Sequence, residues 1–233
     1  MTTTGADIAS NLDAVRRRIA SAATRAGRDA SSVTLLAVSK TFDANAVRLA
    51  AEAGQTHFGE NRVQEGLEKA AALAELRLEW HLIGHLQSNK ARKAAGAFAW
   101  IHSIDSLELL RKLDTGAVEA GTRPRVLIQV DLAREQTKFG ADLARVADLA
   151  RAAANARAVE LRGLMIIPPI PEDPEQSRPW FVQLRELRDR LVTSGVPASS
   201  LRELSMGMSQ DFEVAIEEGA TIVRVGTSIF GHR

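Results

Sequence analysis

Val33-Thr34-Leu35-Leu36-Ala37-Val38-Ser39-Lys40 is an apolar run that ends abruptly in an amine. Six of its first seven residues are aliphatic or β-branched, so it reads as a strand buried on both faces, the kind a parallel sheet uses. Asp43 stands just beyond as the N-cap of an alanine-rich helix expected over 44–53, which Gly54 ends. A lysine at the carboxyl end of a buried strand is an amine at the rim of a pocket. Burial there lowers its pKa, as Schiff-base chemistry with a carbonyl requires. The plain alternative is a lysine whose stem packs on the rim while its head reaches water.

Upstream, Ile8, Leu12, Val15, Ile19, Ala22 and Ala26 recur at three- or four-residue spacing and predict an amphipathic helix over 7–26, stopped by Gly27. Downstream, strand-like segments at 57–61, 79–84, 100–103, 125–131, 159–165, 201–205 and 221–225 alternate with helical patterns. Ser88 and Ser209 are expected helix caps, and Asp105 with Glu108 resembles a capping box. Pro168, Pro169, Pro171 and Pro174 form a stiff loop, not a domain linker, because the alternation resumes after them. Eight strands separated by helices predict one α/β domain over 1–233, a closed parallel (β/α)8 TIM-type barrel. The helix that usually follows the eighth strand is missing, and the N-terminal helix is available to cover that gap. A doubly wound open sheet is the structural alternative.

The composition narrows the function. Of 233 residues, 45% are hydrophobic and 25% charged, as in an ordinary globular protein, and the formal net charge of +1 gives no support to a nucleic-acid or membrane-surface role. Arg16-Arg17-Arg18 lies within a helical pattern and reads as a solvated face. There is no cysteine, which excludes disulfides, thiolate metal sites and cysteine nucleophiles and fits a reducing compartment. No signal-like or membrane-spanning stretch is present, so a cytoplasmic location is expected.

In such a barrel the active face lies at the carboxyl ends of the strands, which here carry Lys40, Glu60-Asn61, Gly84-His85, Ser103, Asp131, Met165, Ser205 and Gly226-Thr227. The small, hydroxyl-rich segments Ser205-Met206-Gly207-Met208-Ser209 and Gly226-Thr227-Ser228 follow strands seven and eight, the usual phosphate site of this architecture; ordinary turn chemistry is the alternative. Strand alternation points Arg224 and Gly226 to one side and Val223 and Val225 to the other. A cation inside a barrel needs either an ion-pair partner, Glu203 or Asp131, or a ligand. The histidines show no metal-ligand spacing: His57 begins a strand, His81 is mid-strand, His85 follows a strand-end glycine and His232 lies in the tail. No metal site is expected.

Five segments resemble the signature stretches of the pyridoxal phosphate homeostasis proteins, PLP-binding proteins of the alanine racemase N-terminal-domain type. They are Leu36-Ala37-Val38-Ser39-Lys40, Phe58-Gly59-Glu60-Asn61-Arg62-Val63-Gln64-Glu65, Trp80 to Lys90, Leu204 to Ser209 and Val223 to Gly231, in the family's order. The resemblance implies a fold-type III barrel holding pyridoxal 5′-phosphate. Lys40 matches the lysine that forms the internal aldimine, Ser205, Gly226 and Thr227 the phosphate positions, and Arg224 the arginine facing the pyridine nitrogen. Asn61 and His85 fall in segments lining the pocket, and Met165 precedes Ile166 where relatives often carry threonine. It also implies a monomer that exchanges the cofactor with PLP-dependent apoenzymes or the free pool. The alternative is a racemase-like PLP enzyme. Related racemases take their opposing base from a tyrosine of a second domain, and this sequence contains no tyrosine. A Schiff-base aldolase acting on phosphorylated sugars shares the lysine and the phosphate cup but does not account for Arg224.

Overall fold

A computed structural model describes residues 4–133 and 139–231. Helix α1 (Gly5–Arg25) opens on Thr4, whose hydroxyl accepts from the Asp7 N–H while the Asp7 carboxylate accepts from the Thr4 N–H, and Gly27 turns left-handed just past its end. The strands are β1 (Thr34–Val38), β2 (His57–Glu60), β3 (Glu79–Leu82), β4 (Trp100–Ile104), β5 (Arg125–Asp131), the two-residue β6 (Ala141–Asp142), β7 (Glu160–Met165), β8 (Glu203–Met208) and β9 (Ile222–Val225). Between them run α2 (Ala44–Glu52), α3 (Val63–Ala72), α4 (Ala91–Ala97), α5 (Leu107–Ala120), α6 (Leu143–Ala154), α7 (Arg178–Thr193), α8 (Phe212–Glu217) and α9 (Thr227–Phe230).

The strand order β4-β3-β2-β1-β9-β8-β7-β5 is parallel throughout, and β4 pairs with β5 to close the ring. Closure removes the open-sheet alternative and confirms the eight-stranded parallel barrel. The ninth strand, β6, which the sequence pattern did not suggest, is a short addition on β5.

Period-two alternation divides the residues into two apolar layers. Phe58, Leu82, Ile101, Val126, Leu164, Leu204, Val223 and Val225 point outward into the large layer beneath the helices. Leu36, Val38, Ile83, Trp100, Leu127, Met165 and Ile222 form a smaller cluster, the barrel interior. α1 packs against α2, α8 and α9, and Asn11 Nδ2 donates to Ile229 O at 2.9 Å. The N-terminal helix therefore covers the side where α9 is a single turn. Within the arginine run, Arg16 donates to Ala53 O at 3.0 Å, and Arg18 pairs with Glu213 and lies 4.5 Å over the Phe212 ring. Arg17 and Arg18 are exposed, as expected of a solvated face, and Arg16 is half-buried.

Three caps differ from expectation. Ser88 opens a 3-10 turn, and α4 follows it without a side-chain cap. α5 is capped by Ser106, whose hydroxyl accepts from the Leu109 N–H, in place of Asp105. Asp211, not Ser209, precedes α8. In each case the structure shifts the helix start by one or two residues, within the usual imprecision of helix ends.

Candidate functional site

A cavity of about 550 Å³ opens at the carboxyl ends of the strands. Lys40, Asn61, His85, Arg224, Gly226 and Thr227 all line it. Met165 and Ser205 do not: each is fully buried below the cavity floor. Met165 belongs to the interior apolar cluster, and the neighbouring wall is made by Ile167.

Lys40 stands at the rim, as its strand-end position predicts, but its side chain is exposed. The burial expected from the sequence is therefore not found. The turn behind it is built with care. Thr41 has φ +68, a left-handed conformation that costs a residue other than glycine about 1–2 kcal/mol. Its N–H donates to Glu65 Oε1 at 2.6 Å. Below, Lys69 Nζ donates to Ser39 O at 2.7 Å, Glu60 Oε1 at 2.7 Å and Glu65 Oε1 at 2.8 Å, and Ser39 Oγ donates to Glu60 Oε1 at 2.6 Å. Burial raises the Glu60 carboxyl above its ordinary value, offset in part by Lys69 and Ser39. Burial also pushes the Glu65 carboxyl up, but the hydrogen bonds from Lys69 and the Thr41 N–H outweigh it and leave it lowered.

Arg224 forms part of the floor and is buried. It takes no ion pair with Glu203. It donates to Ser205 Oγ at 2.8 Å and to Ile166 O at 2.7 Å. Burial pulls it down to about 10, with Asp211 opposing, so it remains a cation at neutral pH. Gln129 is also buried in the lining, its amide donating to Phe139 O at 2.6 Å.

The loops after β8 and β9 meet beside the end of β1, where a Cβ on Gly226 would lie 3.2 Å from Val38 O. Ser209 Oγ accepts from the Gly226 N–H at 3.2 Å, so Ser209, expected as a helix cap, instead joins Gly226 and Thr227 in the lining. At Gly84 the chain passes close to itself. A Cβ there would lie 2.2 Å from the Asn61 carbonyl oxygen, so only glycine lets the ends of β2 and β3 approach and bring Asn61 and His85 to one wall. The His85 ring stacks on Phe139 with centroids 3.7 Å apart, and its Nδ1 lies 3.6 Å from Asp105 Oδ2. Burial raises the Asp105 carboxyl, with His85 opposing.

Sequence spacing showed no metal cluster, yet the fold brings nitrogen and oxygen atoms of His57, Glu79 and His81 within 4.8 Å of one another. Glu79 Oε1 already accepts from Arg125 at 2.7 Å and Trp100 Nε1 at 3.0 Å, and the two imidazoles face each other at 3.1 Å. The guanidinium neutralises the carboxylate a cation would need, and hydrogen bonds account for the grouping. His232 lies outside the described residues. No helix among the described residues is long and apolar enough to cross a membrane.

A closed parallel barrel whose mouth sets a lysine, an arginine floor and a pair of hydroxyl-bearing loops around one cavity is a small-ligand-binding (β/α)8 barrel. The chain belongs to the alanine racemase N-terminal-domain family, whose model matches residues 10–233, and within it to the pyridoxal phosphate homeostasis proteins. It is similar to the pyridoxal phosphate homeostasis protein of Aquifex aeolicus, with 46% identity over 95% of this chain and 96% of that one. The protein of the same name from Escherichia coli is 45% identical over 97% of each chain. Among solved structures it resembles PipY of Synechococcus elongatus with PLP bound, at 43% identity and TM-score 0.85, over 96% of this chain and 100% of that one.

Proposed function

We propose that this chain, as a single domain over 1–233, binds pyridoxal 5′-phosphate through covalent attachment at Lys40 and serves in cofactor homeostasis without catalytic turnover. The observation that carries this reading is the arrangement around the cavity. A rim amine faces a space of about 550 Å³ whose floor is a buried guanidinium and whose neighbouring wall holds the Ser209 and Thr227 hydroxyls beside Gly226. An amine suits an aldehyde, hydroxyl-bearing loops suit a phosphate ester, and a guanidinium offers hydrogens only, which suits an aromatic nitrogen lone pair. The PLP-bound relative supports the same assignment.

In this reading Lys40 tethers the ligand, Ser209, Gly226 and Thr227 hold its phosphate, and Arg224 faces its ring nitrogen. Asn61 and His85 bound the remaining wall. Ser205 acts from beneath, through Arg224, and Met165 supports the floor by packing. When bound, the cofactor supplies an electrophilic carbon and a ring able to delocalise charge. Arg224 keeps the ring nitrogen unprotonated and so weakens that delocalisation. The chain also contains no tyrosine to act as an opposing base. Both features favour a carrier over a racemase. The handover partners are apoenzymes that use the same cofactor, and the working unit is a cytoplasmic monomer.

The test is the absorption spectrum of purified protein with and without added PLP. The expected result is a yellow protein that loses its colour in Lys40→Ala. A colourless wild type after incubation with excess PLP refutes the assignment. Racemisation of single-enantiomer amino acids faster than by free PLP would replace the carrier role with the enzymatic one.

A further inference from the structure

Five side chains from five strands form one hydrogen-bonded file through the barrel interior. His57 Nδ1 lies 3.1 Å from His81 Nε2, and His81 Nδ1 lies 3.0 Å from His102 Nε2. His102 Nδ1 lies 3.0 Å from Ser205 Oγ, to which Arg224 donates at 2.8 Å. His81, His102, Ser205 and Arg224 are all buried, and His57 is the partly exposed end of the file. A barrel interior is ordinarily filled by branched aliphatic side chains. Three imidazoles in contact there need a reason.

The direction of the file follows from its upper end. A guanidinium has only N–H groups, so Ser205 Oγ accepts from Arg224. Among the described residues the other partner of that hydroxyl is His102 Nδ1. A buried hydroxyl hydrogen without an acceptor is costly, so Ser205 donates to His102. Burial holds His81 and His102 well below the ordinary imidazole range, with Arg224 adding to the effect at His102 and the neighbouring rings adding to it at His81. Each ring is therefore neutral, with one N–H and one bare nitrogen. His102 carries its hydrogen on Nε2 and donates to His81 Nδ1. His81 Nε2–H donates to His57 Nδ1, and His57 keeps its own hydrogen on Nε2. At that end the charged neighbours are Glu79, 3.9 Å from His57 Nδ1, and Arg125, which is paired to Glu79.

We propose that His102 and His81 are positioning residues for Arg224. The one-way file turns the Ser205 hydrogen away from the guanidinium, keeps a Ser205 lone pair facing it, and so holds Arg224, which itself only donates, in place as a wall of the cavity. A ligand group placed against that wall must accept. Applied to PLP this rests on the proposed function above, whereas the direction of the file does not.

The first experiment is ¹⁵N-edited NMR of the imidazoles in the unsubstituted apoprotein near neutral pH, which separates the two neutral tautomers from each other and from the cation. His57, His81 and His102 are expected as neutral Nε2–H tautomers. A hydrogen on His102 Nδ1, or a charged His81 or His102, overturns the proposal.

The second experiment uses PLP labelled with ¹⁵N at its ring nitrogen. His102→Gln keeps an acceptor toward Ser205 and a donor toward His81, whereas His102→Leu keeps neither. His102→Gln should match the wild-type ring-nitrogen shift. His102→Leu should move it and weaken binding by about five- to tenfold, the loss expected for one misaligned hydrogen bond. A folded His102→Leu with unchanged shift and affinity overturns the positioning role. Should that variant fail to fold, the tautomers of the unsubstituted chain decide alone. A wild type that takes up no PLP refutes the proposed function and leaves the tautomer test in force.

Discussion

Lys69→Met removes the ammonium beneath the Lys40 turn while keeping an unbranched side chain of similar length. Lys69 Nζ holds three oxygens, from Ser39, Glu60 and Glu65, within 2.8 Å, and the Lys69 and Glu60 side chains are 7% and 0% exposed. Without Lys69, Glu60 is a buried carboxylate with one hydroxyl donor, Ser39. Breaking one side of a buried ion pair costs about 3–5 kcal/mol, because the remaining charge is uncompensated. The sign of its pH dependence is set by Glu60. Its carboxyl is already raised by burial, and the substitution raises it further. The penalty therefore belongs to the ionised form: it grows as pH rises above the unfolded value near 4.5 and falls away as pH drops toward it. Urea unfolding at neutral pH and near pH 4.5 measures this. With a slope of about 3 kcal/mol per molar urea, the midpoint should fall by about 1–1.7 M at neutral pH and much less in acid. Adding Glu60→Gln should restore most of the loss. A penalty below about 1 kcal/mol, or one equal at both pH values, would refute the view that Lys69 stabilises the turn by compensating Glu60.

Thr41→Gly should be neutral or stabilising by up to about 1 kcal/mol in urea unfolding, since relief of the left-handed strain is partly offset by the freedom glycine gains when unfolded. A clear loss of stability would show that the Thr41 side chain does more than tolerate its conformation. Gly84→Ala should destabilise by about 1–3 kcal/mol and weaken PLP uptake, because the new Cβ forces the Asn61 carbonyl, and with it the wall carrying His85, to move; an unchanged thermal midpoint and spectrum would contradict this. His81 and His102 are depressed by burial, so their stabilising contribution is present above the unfolded value of 6.5 and is lost as pH falls below it. Urea midpoints should therefore drop in mild acid with a slope of up to about 1.4 kcal/mol per pH unit for each histidine, and the slope should lessen in His81→Gln.

What the sequence made legible is local. Val33 to Lys40 carries its strand assignment in its own residues, and Asp43 caps α2 by accepting from the Ala46 N–H, as its position before an alanine-rich run requires. Eight repeats of that pattern determine a barrel, and the barrel determines which strand ends converge. Lys40, Asn61, His85, Arg224, Gly226 and Thr227 were found this way, and the family resemblance supplied roles for them. Side chains whose meaning depends on distant strands were not. Ser205 sits on the expected strand, yet alternation in a single strand does not say how deep a residue lies, and the cavity floor passes above it. Ser209 read as a cap because its bond to the Gly226 N–H joins loops 17 residues apart. Phe139 and Gln129 carry no motif at all.

The histidines sharpen the same distinction. His57, His81 and His102 stand 24 and 21 residues apart, spacings with no helical or metal-ligand meaning. They meet only because β2, β3 and β4 are neighbours whose inward positions rise together around the ring. Once the strand order is known, one rule exposes the file: an inward-facing polar residue on a barrel strand must find its partner on an adjacent strand or across the interior. Applied to His81, the rule leads through His102 and Ser205 to Arg224, and so from the middle of the barrel to the floor of the cavity.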